Sequence, residues 1–300
     1  MEKEKDFLFF IFMSSFWAFN YPFVKMALAF EDASVLLLYR VIFAIIGMLL
    51  LFNRRIKLRL SLKSHGKMFI LSLLNVTIFM EFWFLGETSV SSSLSSIIIY
   101  TYPIISTFLS IILLKEKYTM EGIGGIALGF TGIIVIFSDS INVASVYGIF
   151  LELLAATSWA LGTIFYKKYI REEDRITTNF YQFAYSLIPV IFISFISTSP
   201  GKILNPGTEF LMLSLVIGIP GTAIAYYFFL KLNRDYNVST ISSFLFIVPA
   251  LSVIFSYFIL HNVLTYIQTS GFLLVSIGIL LSARGVRRKK SLLNSMITLE

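Results

Sequence analysis

Few groups in this chain could do chemistry. Cysteine is absent and only two histidines occur among 300 residues. That excludes disulfides, thiolate metal sites and cysteine nucleophiles, and leaves little from which to build a histidine centre. No G-x-S-x-G, no H-E-x-x-H and no paired membrane aspartate is present, so no catalytic residue, metal ligand or cofactor is expected. What remains are aromatic, amide and hydroxyl groups inside apolar stretches. Trp17 and Asn20 stand three residues apart, hence on one helix face. Trp159 occupies an equivalent place later in the chain, with Trp83, Tyr100 and the Tyr226–Tyr227 pair as further candidates, of which Tyr227 is placed in the site. A tryptophan at mid-span needs a protein or cavity partner for its indole N–H, and an amide in hydrocarbon is costly unless bonded. A polar, aromatic substrate site is one reading of these residues. Helix packing is the other.

Four charges fall inside the same stretches: Lys25, Arg40, Glu81 and Glu152. At 1.5 Å per residue they lie within about 10 Å of the outer ends of their spans. Two cations and two anions at similar depth point to pairing that closes the outer side. Lys25 snorkelling while Arg40 ties helices permanently is an alternative, and binding of a substrate carboxylate by either cation is a third. Pro103 and Pro249 each remove a helical hydrogen bond and predict kinks.

The elements that must position these groups follow from composition. The chain is 57% hydrophobic and 14% charged, against roughly 25% charged residues in soluble domains. A bilayer is the solvent that such a surface fits. Apolar runs predict spans near 7–28, 35–52, 68–87, 93–114, 120–138, 146–166, 177–197, 210–230, 238–260 and 266–283. The opening Met-Glu-Lys-Glu-Lys-Asp leads into the first span with no small-residue cleavage site, which reads as a retained signal-anchor. With the N-terminus inside, 21 of the 24 Lys and Arg fall in the tails and inner loops, and only Lys202 lies in an outer loop. The positive-inside rule therefore puts both termini in the cytoplasm. Runs such as Arg54-Arg55-Ile56-Lys57 are topogenic, and no nucleic-acid partner is expected.

The chain repeats itself. Ser15-Phe16-Trp17-Ala18 and Lys25 recur as Thr157-Ser158-Trp159-Ala160 and Lys167, at an offset of 142. Pro103, Thr119, Gly125 and Gly132 recur as Pro249, Thr265, Gly271 and Gly278, at an offset of 146. Each half then holds five spans, and an odd number turns the second copy upside down, as in secondary transporters with a binding site at the repeat interface. The division expected is 1–139, 140–290 and a cytoplasmic tail, 291–300.

Trp17-Ala18-Phe19-Asn20 through Lys25-Met26-Ala27-Leu28, Arg40 in the second span, Pro103, Leu114-Lys115-Glu116 and Gly125 through Gly132 resemble the EamA type of the drug/metabolite transporter superfamily. The resemblance implies an all-α integral membrane protein of ten transmembrane helices in two inverted five-helix repeats. It also implies a cavity lined by helices 1, 3, 4, 6, 8 and 9, and export or exchange of amino acids, other metabolites or nucleotide sugars. One departure is Asn262, where the family often repeats a Glu; Glu116 reads as structural, near the start of the fifth helix.

The function expected is thus alternating-access export or exchange of amino acids or related amphipathic solutes at the cell membrane. A multidrug exporter is the runner-up, although the first span lacks the membrane Glu that small drug-pumping homologues use. A receptor or scaffold has no need of the inverted duplication, and no filter-like segment suggests a channel. The partners are a small-molecule substrate and the lipid bilayer; proton or counter-solute coupling and oligomeric state stay open. Gly125 and Gly129 predict close packing inside the fold, Thr265 with Gln268 a capping box, and His65 and His261 solvated positions.

Overall fold

The structure is a computed structural model that describes residues 2–117, 119–138, 143–238, 241–242, 245, 247–261 and 265–284, and all regular structure among them is helical. Seven segments are long and apolar enough to cross a membrane: Asp6–Ala27, Ala33–Arg55, Leu62–Ser89, Ser92–Leu113, Val146–Ile170, Arg175–Ser197 and Thr208–Asp235. Each coincides with an expected span. We label the helices α1 (Glu2–Ala27), α2 (Ala33–Phe52), α3 (Leu62–Ser89), α4 (Ser92–Leu113), α5 (Met120–Ser138), α6 (Val143–Phe165), α7 (Arg175–Ser197), α8 (Thr208–Asp235), α9 (Ile247–Leu260) and α10 (Tyr266–Arg284). Val238, Ile241 and Ser242, earlier in the same expected span as α9, are helical too, whereas Ser239, Thr240, Ser243, Asn262 and the tail beyond Arg284 lie outside the described residues, as does the Gln268 side chain.

Local chemistry starts these helices. Ser61 accepts the Ser64 N–H at 3.1 Å, Ser91 that of Leu94 at 3.2 Å and Asp174 that of Thr177 at 2.9 Å. Each side chain takes one of the donors that a helix start leaves unpaired. α4 is interrupted between Ser92–Ile99 and Tyr102–Leu113. Pro103 explains the break, since it lacks an N–H and its ring clashes with the preceding turn. Pro249 stands in the first turn of α9, where Pro103 stands in the second piece of α4.

Features of the backbone recur at the sequence offset. Leu73–Ile78 of α3 and Ile219–Ile224 of α8 are both π-helical, 146 residues apart. Lys115, two residues past the end of α4, and His261, one residue past the end of α9, are also 146 apart, and both take φ 56°. α5 and α10 pack along a glycine seam: a Cβ on Gly132 would meet the Gly271 carbonyl oxygen at 2.6 Å, and one on Gly278 the Gly125 carbonyl oxygen at 2.6 Å. The G-x-x-x-G of α5 therefore serves internal packing. Large apolar side chains cover the outside, Phe192 at 68% exposure and Phe258 at 70% among them, which suits lipid rather than water.

Candidate functional site

Where α1, α2, α3, α4, α6 and α8 converge, they enclose a cavity of about 20 Å³, room for one or two waters. α1 contributes Trp17, Asn20 and Tyr21, and α2 contributes Arg40. Phe79 and Trp83 come from α3, Tyr100 from the break in α4, Trp159 from α6 and Tyr226 from α8. Trp17 and Trp159 meet edge to face with centroids 5.3 Å apart, and Tyr102 stacks on Trp159 at 3.9 Å.

Five of the six residues assigned to the site from sequence stand here: Trp17, Asn20, Trp83, Tyr100 and Trp159. Tyr227 does not; it lies tilted against Phe52 at 5.1 Å, and its neighbour Tyr226 faces inward instead. One residue is about 100° of helix turn, so adjacent tyrosines cannot share a face. Relative to the helices implied by the resemblance, α2 joins the lining, and α9 contributes no side chain to it among the described residues.

The π stretches explain why polar groups gather here. A π turn breaks the regular ladder and leaves carbonyls to be taken by side chains. Asn20 donates to the Gly221 carbonyl at 3.0 Å, Asn179 to that of Ala223 at 2.9 Å, Ser158 to that of Leu74 at 2.7 Å and Tyr226 to that of Asn75 at 3.2 Å. Two contacts are reciprocal between the halves. Gly221 of α8 receives Asn20 of α1, and Gly162 of α6 lies against the Asn75 side chain of α3; a Cβ on either glycine would collide with its asparagine. These pairs obey the two sequence offsets with the residue types exchanged.

The four intramembrane charges do not pair as expected. Lys25 donates to the carbonyls of Glu87 at 2.5 Å and Val90 at 2.6 Å, closing the end of α3. Its equivalent Lys167 does the same at the end of α8, to Asn233 and Tyr236, both at 2.5 Å. Unpaired carbonyls at a helix C-terminus offer a lysine several acceptors at once. Arg40, 1% exposed, donates its Nε–H to Thr222 Oγ1 at 2.7 Å and lies 5.1 Å from the Trp83 ring and 5.3 Å from the Phe84 ring. No ion pair joins Lys25, Arg40, Glu81 or Glu152 to one another among the described residues. Both oxygens of Glu152 and one oxygen each of Glu81 and Glu87 are buried without a hydrogen-bond partner. Glu87, which sequence reading left at a span end, is fully buried and accepts from Ser95 at 3.3 Å; Ser95 in turn accepts the Trp83 indole N–H at 3.1 Å.

Ion pairs occur elsewhere. Lys231 of α8 pairs with Asp6 of α1, and the Tyr236 hydroxyl donates to the same carboxylate at 2.9 Å. His65, expected to be solvated, is half-buried and bonds through Nδ1 to the Tyr185 hydroxyl of α7. His261 is exposed.

Comparisons with known proteins agree with this architecture. A transporter of Bacillus subtilis strain 168 named YvbV, itself described as uncharacterised, is 30% identical over 281 residues, covering 92% of this chain and 90% of its own length. A protein of Escherichia coli K12 named as a probable amino-acid metabolite efflux pump is 24% identical over 209 residues, covering 67% of this chain and 70% of its own length. One crystal structure superimposes with a TM-score of 0.73 at 12% identity, covering 95% of this chain and 99% of that one, so the fold is shared. The model of the EamA-like transporter family matches twice, over residues 5–138 and 146–284. The chain is a multi-pass membrane protein, and with these two matches running through both halves it belongs to the EamA-like transporter family.

Proposed function

We propose that the chain is a secondary transporter that moves small metabolites, amino acids or related amphipathic solutes, across the cell membrane by alternating access. In this reading ten spans form two inverted halves, 1–139 and 140–290, with residues 291–300 a tail and both termini cytoplasmic. The observation that carries it is the meeting of Trp17 and Trp159, equivalent residues of the two halves, inside the same cavity. A site shared between related halves opens to one side or the other as they rock. A cavity of about 20 Å³ is closed to a metabolite, so the aromatic side chains must part when one enters. The name of the Escherichia coli relative supports an amino-acid-like substrate. A buried guanidinium in the wall repels cations, which favours metabolites over cationic drugs.

Purified protein in liposomes loaded with a metabolite panel tests this directly. Counterflow of at least one small solute without ATP is the expected result, since no G-x-x-x-x-G-K-[ST] phosphate loop occurs in the chain. Movement of solute only when ATP is supplied overturns the proposal.

A further inference from the structure

The buried polar atoms of the cavity wall that lack a partner are of one kind. Among the lining residues, the buried polar atoms left without a partner are Arg40 Nη1 and Trp159 Nε1. Both are N–H donors. Asn20 spends its amide N–H on Gly221, Tyr226 its hydroxyl on Asn75, and the Trp83 indole its N–H on Ser95. No Asp or Glu lines the cavity. A guanidinium in a membrane interior is expensive unless it meets an anion or a set of acceptors. Arg40 has one hydroxyl acceptor, two ring faces and no carboxylate within ion-pair distance among the described residues. Apart from Asn20, the rest of the wall is aromatic.

We infer that Arg40 and Trp159 form the receptor for the carboxylate of a small monocarboxylic acid with an aromatic or branched apolar body, which the surrounding rings enclose. The inference rests on the transport reading and names the substrate class of that site. The chemistry selects this ligand over the alternatives. A guanidinium presents paired N–H groups that match a carboxylate edge, and the hydrogen bonds are charge-assisted. An indole N–H donates only, so it adds to acceptor-rich ligands and nothing to amines. The aromatic wall favours a planar or branched apolar body by area and by stacking. A free ammonium on the ligand finds ring faces but no carboxylate.

The test uses the full chain in detergent, with phenylacetate, phenylacetamide and phenethylamine as matched probes and with chloride and phosphate as inorganic controls. Equilibrium binding of radiolabelled phenylacetate is competed with each. Phenylacetate should bind and the amide and amine should compete at least roughly tenfold more weakly, the step expected from losing a charge-assisted hydrogen bond. Arg40→Gln should weaken phenylacetate by roughly 10- to 100-fold, and Trp159→Phe, which keeps a ring and removes the N–H, by roughly 3- to 10-fold. Arg40→Lys, which preserves the charge, guards against a folding defect and should fall between wild type and Arg40→Gln. Equal competition by amide and acid, competition by chloride or phosphate as strong as by phenylacetate, or unchanged affinity in both Arg40→Gln and Trp159→Phe overturns the inference. Counterflow separates the two readings. Transport of solutes that lack a carboxylate, with no binding of phenylacetate, sinks the inference and leaves the transporter standing. Arg40-dependent binding with no solute moved in liposomes keeps the site and sinks the transport reading.

Discussion

Lys25 and Lys167 follow Trp17 and Trp159 at the same distance, and each seals the end of a helix within its own half. Sequence spacing made the lysines equivalent, but depth arithmetic left Lys25 with three readings, a carboxylate partner among them. Depth says nothing about rotation around the helix axis, and rotation turns Lys25 to the carbonyls of α3. Lys25→Met should remove about 2 kcal/mol of stability, visible as a lower thermal midpoint in detergent, and Lys167→Met should behave alike. An unchanged midpoint in both would mean the carbonyls are equally well served by water. Arg40→Glu should abolish transport, and neither Glu81→Arg nor Glu152→Arg should restore it, because Arg40 bonds Thr222 and no carboxylate. Recovery of transport in either double variant would reinstate the charge pair. Arg40 itself was legible as a charge that needs a reason. Thr222, 182 residues away, was not, since nothing in a sequence of apolar runs marks which hydroxyl will cross to it.

The long helices were legible because lipid demands continuous apolar runs and cationic loops mark their ends. The π stretches were not. Leu73–Ile78 and Ile219–Ile224 share almost no side chains, and neither reads differently from ordinary helix. Their backbone form is supported by tertiary contacts, the side chains from crossing helices that take the freed carbonyls. The crossing itself depends on a glycine facing an asparagine, twice. Gly162→Ala should therefore cost about 1–3 kcal/mol through overpacking against Asn75. Adding Asn75→Ala should return much of that loss, a coupling that a thermal-melt double-mutant cycle reads. Additive losses would show that the helices part freely at that point. The same cycle on Gly221 and Asn20 is expected to give the same sign, with transport also reduced because Asn20 lines the cavity.

At the scale of the molecule, the proposed topology puts Lys202 and Lys57, both exposed, on opposite sides of the membrane. The chain contains no cysteine, so Lys202→Cys and Lys57→Cys can be labelled one at a time. An impermeant maleimide added to intact cells should reach position 202 and spare position 57; the reverse pattern would invert the whole arrangement. The cavity was legible in outline, from Trp17, Trp83 and Trp159. It was wrong in register at Tyr227, because both tyrosines of that pair satisfy the same composition argument and only the rotation of α8 distinguishes them. That the chain has three tryptophans and all three face the cavity has an optical consequence. Tryptophan emission from this protein comes from its centre alone, with no surface indole to dilute it. Any solute that parts Trp17 from Trp159 should shift or quench the entire tryptophan signal. Single Trp→Phe variants would then show which wall moves first, without attaching a dye.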